Sequence, residues 1–343
     1  MNNKKHFNEH KPTLGITIGD YNGVGPEIIL KALGDNRILG QCTPVIYGSS
    51  RVLGKYRKLL GLSDWYLHQI KEPSQINYKK TNIINCFDTK EIAPGKITEE
   101  AGQAAFKSLE TATKDLIEGK LDGIVTAPIN KHNIQNDTFN FVGHTEYFTK
   151  SFEAKESLML MVADTLRVAL ATGHTPLSEV SKKITPALLT KKIDLLYHTL
   201  KHDFGINKPK IAVLGLNPHA GEEGLLGQEE KALIEPLIKD FRRKGKLIYG
   251  CFPADGFWGM SKYANFDATL ALYHDQGLIP FKSIAFHSGV NFTAGLPIVR
   301  TSPDHGTAYN IAGKNQADPS SMRQAIYLAC DLIKIRKESE VQI

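Results

Sequence analysis

The chain has 343 residues, of which 41% are hydrophobic and 23% charged, a globular composition long enough for two domains. Lys plus Arg number 42 against 36 Asp plus Glu, so the net charge of +6 is spread thinly and no polybasic arm asks for nucleic acid. The most apolar stretch, residues 158–171, is interrupted by Asp164 and Arg167, and no run reaches the roughly 20 apolar residues that cross a bilayer.

The opening stretch MNNKKHFNEHKP is polar and has no apolar core of a secretory leader, which predicts a cytoplasmic protein without cleavage. A β-rich run at 13–18 leads through the turn GDYNGVG to Pro26, well placed to open a helix that ends near Leu33. Further strands are predicted at 44–47, 82–86, 123–126, 158–162, 167–171, 210–214, 246–249 and 268–272. Helical patterns occupy 98–119, 186–202, 228–244 and 320–335. Strands alternating with helices of this length predict an α/β fold with a largely parallel sheet, because parallel neighbours need a crossover. The segment 290–317 has almost no helix or strand signal until its end, yet is dense in polar residues. Cys42, Cys86, Cys251 and Cys330 lack C-x-x-C spacing and read as reduced core residues.

Six loops rich in Gly, His, Asn and Asp follow predicted strands: GITIGDYNGVGPE, VTAPINKH, GHTEYF, ATGHTPL, GLNPHAGEEG and LYHDQGL. That rim is where open α/β sheets bind ligands. His174, His219 and His274 each sit after a strand among turn residues, 45 and 55 positions apart. Such spacing matches no local zinc motif, but three loops can assemble a three-histidine site with an open position. His6 and His10 read as a solvated tail, and His68, His198 and His202 as exposed positions. His144 and His305, in Gly-flanked polar loops, are candidates for substrate or cofactor contacts. Lys282, Asn291 and Arg300, with His144 and Thr145 as neutral donors, suggest an anion site, although most Lys and Arg are only surface charges. No P-loop and no G-x-G-x-x-G is present.

Taken together, GITIGD with NGVGPE, TAPINK, GHTE, GLNPHAGEEG with GQEE, FPADG, YHDQGL, and VNFTAGLPIVRTSPDHGTA with IAGK resemble the 4-hydroxythreonine-4-phosphate dehydrogenase (PdxA) family of pyridoxal phosphate biosynthesis. The likeness runs in one order from about Leu14 to Ile326. It implies the isocitrate/isopropylmalate dehydrogenase-like α/β fold, two α/β/α domains with a cleft between them, which binds NAD without a Rossmann fingerprint. The expected division is 1–130 plus 285–343, carrying the nucleotide loop, and 131–284, carrying the metal ligands and dimer interface. The resemblance puts metal ligands at His174, His219 and His274, with His219 serving the partner subunit of a homodimer. Zinc is the first expectation for the metal, with cobalt or magnesium as alternatives. Substrate contacts fall on His144, Thr145, Lys282, Asn291 and Arg300, and catalytic roles on His274, Lys282 and Asp255.

The stretch DHGTAYNIAGKNQAD is also similar to the adenosine loop of isopropylmalate dehydrogenases, which implies cofactor contacts from His305, Gly306, Thr307, Ala308, Asn310 and Ile311. Asn310 stands where that pattern has an acidic residue; no cation at 309–311 would attract a 2′-phosphate, so NAD is favoured with NADP open. Tyr21-Asn22 replaces the usual Pro-Ala of the first loop, a change of loop shape. Asp255 and Asp275 could orient metal-bound imidazoles, with a helix N-cap as the plainer role for Asp255. The implied reaction is oxidation of 4-phosphooxy-L-threonine at C3, then decarboxylation to 3-amino-2-oxopropyl phosphate. Alternatives are a 4-phospho-D-threonate or phosphoerythronate dehydrogenase and, from another class, a metal-dependent phosphoryl or acyl transferase.

Overall fold

The structure, a computed structural model, describes residues 11–62 and 66–341; the stretch holding His6 and His10 lies outside them. The chain divides into two compact units, Met1–Asn136 with Thr307–Pro319, and Asp137–Gly306 with Ser320–Ile343.

The first unit holds strands β1 (Thr13–Thr17), β2 (Thr43–Gly48), β3 (His68–Ile70), β4 (Asn82–Asn85) and β5 (Gly123–Thr126). Its helices are α1 (Gly25–Leu33), α2 (Arg37–Gln41), α3 (Ser50–Leu59) and α4 (Glu99–Ile117). The strands lie in the order β3-β4-β2-β1-β5, all parallel, with Ile16 opposite Ile46 on one side and Val125 on the other. Every residue of β1, β2 and β5 is buried, as expected of parallel strands covered on both faces. Pro26 stands in the first turn of α1, and the Thr98 hydroxyl caps α4 by accepting from the Ala101 N–H at 3.3 Å.

The second unit holds β6 (Leu158–Ala163), β7 (Leu166–Leu170), β8 (Lys210–Leu214), β9 (Leu247–Phe252), β10 (Ala268–Ala271), β11 (Val290–Ala294) and β12 (Val299–Pro303). Its helices are α5 (His144–Ser151), α6 (Leu177–Lys183), α7 (Pro186–His202), α8 (Glu235–Arg243), α9 (Ala254–Gly259), α10 (His274–Ala285) and α11 (Ser320–Val341). The order is β12-β11-β6-β7-β10-β8-β9; the first three pairings seen within β11, β6, β7 and β12 are antiparallel and the rest parallel. Met161, Val168, Leu170, Leu214, Phe257 and Phe281 form its buried core, each worth about 1.5–3 kcal/mol of transfer free energy.

Three expectations need correction. The signal-poor segment 290–317 contains β11 and β12: buried Val290, Phe292, Ala294 and Val299 are interleaved with equally buried Thr293, Arg300, Thr301 and Ser302, which dilute the apolar signature. Residues 285–306 and 320–343 belong to the second unit rather than the first, because β11 pairs with β6, Asn291 opposite Met161, and α11 packs on β11 and β12. The helix expected over 228–244 starts as a π turn at Glu230–Ile234 before α8. Among the described residues no helix is long and apolar enough to cross a membrane.

Candidate active site

The predicted metal and substrate residues all lie in the second unit. His274 is the first residue of α10, at the exit of β10, and its Nδ1 lies 2.7 Å from the Asp275 carboxylate, which leaves Nε2 as the free ligand atom. His174 follows β7, which pairs with β10, and its ring centroid lies 6.2 Å from that of His274. Both side chains are about 40% exposed. Two adjacent, accessible imidazoles, one already oriented by a carboxylate, are a donor set suited to a first-row divalent ion.

His219 does not join them: among the described residues no group of three or more His, Cys, Asp or Glu could hold a metal. It stands exposed after β8 at the head of a left-handed turn, where His219, Ala220, Gly221, Glu222 and Glu223 have φ between 41° and 79°. Four of these carry a Cβ, at a cost of about 1–2 kcal/mol each, so the turn persists because its surroundings impose it.

Glu230, only 1% exposed, supplies that constraint: one carboxylate oxygen accepts the N–H groups of Leu216 and Asn217 at 2.7 Å, and the other accepts the Asn217 side chain at 2.9 Å. A Cβ on Gly221 would stand 2.8 Å from the same carboxylate.

Arg300 on β12 is 2% exposed; its guanidinium donates to the Thr293 hydroxyl at 3.0 Å and lies 6.0 Å from the centre of the Phe148 ring. Burial pushes its pKa down to about 9, while the Glu146 carboxylate acts to raise it. Asn291 is two residues from Thr293 on β11 and therefore on the same face, and among the described residues its buried Oδ1 has no hydrogen-bond partner. His144 and Thr145, expected in a loop, form the first turn of α5, where exposed N–H groups favour anions; the His144 ring is 6.5 Å from Phe148. Lys282, on the helix that His274 opens, reaches the Asp304 carboxylate at 3.4 Å. Burial raises the Asp304 carboxyl pKa, an effect that Lys282 opposes.

Asp255 is exposed in the first turn of α9, whose N-cap is Pro253, so it is not the cap, and among the described residues the carboxylate bonded to His274 is that of Asp275. Of the nucleotide-loop residues, His305 and Gly306 belong to the second unit, and the His305 Nε2 is buried without a hydrogen-bond partner among the described residues.

Thr307, Ala308, Asn310 and Ile311 belong to the first unit. There the Val24 N–H donates to the Thr307 carbonyl at 2.8 Å, a Cβ on Gly23 would meet that carbonyl at 2.7 Å, and the Tyr309 hydroxyl donates to buried Asp20 at 2.8 Å. Asn22 does more than shape its loop: its side chain donates to Thr98 at 3.1 Å and accepts from the Ala93 N–H at 2.8 Å.

Sequence reasoning did not single out Glu146, Glu230 or Gln276. Each stands inside a quoted motif; Glu230 and Gln276 matter because they are buried, and Glu146, half-exposed, because it lies beside Arg300 and His174, none of which spacing reveals.

The fold is that of a dehydrogenase. A crystal structure of 4-hydroxythreonine-4-phosphate dehydrogenase from Klebsiella pneumoniae superposes with a TM-score of 0.81 at 33% identity, covering 94% of this chain and all of that one (100%). A family model described as pyridoxal phosphate biosynthetic protein PdxA matches residues 40–329, and the chain belongs to that family of oxidoreductases. It is 48% identical to a 4-hydroxythreonine-4-phosphate dehydrogenase of Bacteroides thetaiotaomicron, over 97% of this chain and 92% of the relative. It is also 38% identical to a D-threonate 4-phosphate dehydrogenase of Cupriavidus necator, over 95% of this chain and 98% of the relative.

Proposed function

We propose that the chain oxidises 4-phosphooxy-L-threonine at C3, passing hydride to NAD, and that the resulting β-keto acid loses CO2 to give 3-amino-2-oxopropyl phosphate. The observation that carries this reading is the buried cation Arg300 in the same unit as the His174–His274 pair. A guanidinium is costly to bury, and beside its protein partners it still offers a planar fork of donors that a phosphate monoester meets with a bidentate acceptor. Arg300, Asn291, Lys282 and the His144–Thr145 turn would hold the phosphate, so its binding energy orients the carbinol carbon toward the nicotinamide.

His174 and His274, with His219 supplied by a partner subunit, would hold a divalent ion, zinc first and cobalt or magnesium as alternatives. The chemistry such an ion supplies is Lewis-acid stabilisation of negative charge developing on a substrate oxygen. Asp275 holds the His274 ring in the tautomer that presents Nε2. Lys282, on the helix that His274 opens, would be the side chain that moves a proton, while exposed Asp255 would be left a role at the rim. His305, Gly306, Thr307, Ala308, Asn310 and Ile311 would contact NAD, Asn310 accepting from the ribose without strongly repelling a 2′-phosphate.

A homodimer belongs to this reading, and it would cover some of the exposed apolar side chains that follow the three histidines, Leu177, Leu225 and Ile279. A cytoplasmic setting, where NAD and reduced thiols are found, belongs to the same reading.

The D-threonate relative keeps 4-phospho-D-threonate as the second reading, whereas membership of an oxidoreductase family removes the transferase alternative. The test is NAD reduction by metal-loaded protein with the two phosphorylated substrates side by side. We expect faster turnover of 4-phosphooxy-L-threonine; preference for the threonate moves the assignment to the second reading, and reduction with neither refutes it.

A further inference from the structure

Gln276 lies two residues after His274 in α10 and is 8% exposed. Its side-chain oxygen accepts the Leu272 N–H at 2.7 Å, and its side-chain nitrogen donates to the Gly215 carbonyl at 2.6 Å. Leu272 and Gly215 are the first residues beyond β10 and β8, two strands that pair in parallel. The amide therefore bridges the two chains just where their ladder ends. Its orientation is set by both partners, since a flipped amide would oppose carbonyl to carbonyl and N–H to N–H.

The bridge continues on either side. The Thr172 hydroxyl, in the His174 loop, donates to the Leu272 carbonyl at 2.7 Å. Beyond Gly215, the Glu230 carboxylate gathers the N–H groups of Leu216 and Asn217 and so sets the left-handed turn that presents His219. One run of side-chain to backbone hydrogen bonds thus joins all three histidine-bearing loops. Loss of Gln276 would remove the link that joins the Leu272 and Gly215 ends of that run.

We propose that Gln276 is a positioning residue that holds the His274 and His219 loops in fixed register, so that each imidazole is placed for metal before metal arrives. The inference rests on the three-histidine metal reading. In a dimer where His219 serves the partner's site, Gln276 ties a ligand of one site to a ligand of the other. Glu230 acts at the far end of the same brace.

The test is titration of metal-free protein with Co2+, read by visible absorption, for the wild type, Gln276→Met, His174→Ala, His274→Ala and a control, Tyr47→Phe. The control removes a buried 2.7 Å hydrogen bond to Asp115 in the first unit. We expect Gln276→Met to weaken cobalt binding about 10- to 100-fold, as loss of an orienting partner does, and to change the ligand-field spectrum. The control should keep affinity and spectrum. Should Gln276→Met not fold, Gln276→Glu keeps the acceptor for Leu272, loses the donor to Gly215, and is expected to show the same loss. Unchanged cobalt affinity and spectrum in the Gln276 variant, with both histidine variants impaired, overturns the proposal and leaves the metal reading standing. Equal weakening in Tyr47→Phe also overturns it, since the effect would then be general loss of stability. Unimpaired binding in both histidine variants refutes the metal reading and this inference with it.

Discussion

Arg300 sets two costs against each other. Its guanidinium is buried, which pushes the pKa down to about 9, and Glu146 recovers only part of the lost hydration. A base whose pKa is lower in the folded than in the unfolded state binds fewer protons when folded between those two values. Its cationic form therefore costs stability below pH 9, and that cost fades as pH rises through 9. Arg300→Met should match or exceed the wild type in urea-unfolding stability at pH 7, with the gap narrowing at pH 9.5. The same variant should raise KM for the phosphorylated substrate about 10- to 100-fold, the worth of a charge-assisted hydrogen bond. A clear loss of stability at pH 7 would show that the cation is held for the fold rather than for an anion.

The cysteines follow the same logic with an acidic group. Burial pushes the thiols of Cys86 and Cys251 up to about 12, and Cys42 and Cys330 are 0–1% exposed. At pH 8 a thiol of pKa 12 is ionised in only about one molecule in 10^4. Native protein should take up no iodoacetamide within an hour at pH 8, and denatured protein four labels by mass spectrometry. Fast labelling of the native chain would contradict the burial described. The absence of thiol motifs was legible from spacing; the depressed reactivity was not, because desolvation depends on neighbours distant in sequence.

At the scale of elements, helix ends with side-chain signals were the easiest to read. Helix α7 begins at Pro186 behind the Thr185 cap, whose hydroxyl accepts from the Leu188 N–H at 3.2 Å. Thr185→Ala should cost about 1 kcal/mol in unfolding stability while leaving kcat unchanged. Helix α4 gives the opposite case: propensity favours Gly102→Ala by about 1 kcal/mol, but the added Cβ would fall on the Asn133 carbonyl. That variant should be destabilised by several kcal/mol or fail to fold; a gain in Tm would show that the contact yields easily. Helix α10 escaped sequence reasoning because Gly277 and Pro280 interrupt its pattern. The glycine is required by packing, since its Cβ would stand 2.9 Å from Val168, Leu170 and Ala271 side chains. Strands β11 and β12 escaped because Thr, Ser and Arg share their buried positions with the apolar residues.

At the scale of the whole molecule, two of the three predicted metal ligands meet within one chain and His219 does not. If His219 completes the partner's site, mixing inactive His219→Ala with inactive His274→Ala chains should restore part of the activity, because some mixed dimers carry one intact site. No recovery with mixed dimers verified by mass spectrometry would argue that each chain is self-sufficient.

The sequence by itself determined the α/β class, most strand positions, the family, and the residue types of the candidate site, because strand-exit loops rich in Gly and His are local features of the chain. Only the tertiary structure decided which unit each segment joins, that Arg300 is buried, that His174 faces His274, and that Gln276 and Glu230 brace the loops around them. Those facts arise from contacts between residues tens of positions apart, set by strand order and register, and neither composition nor periodicity carries that information.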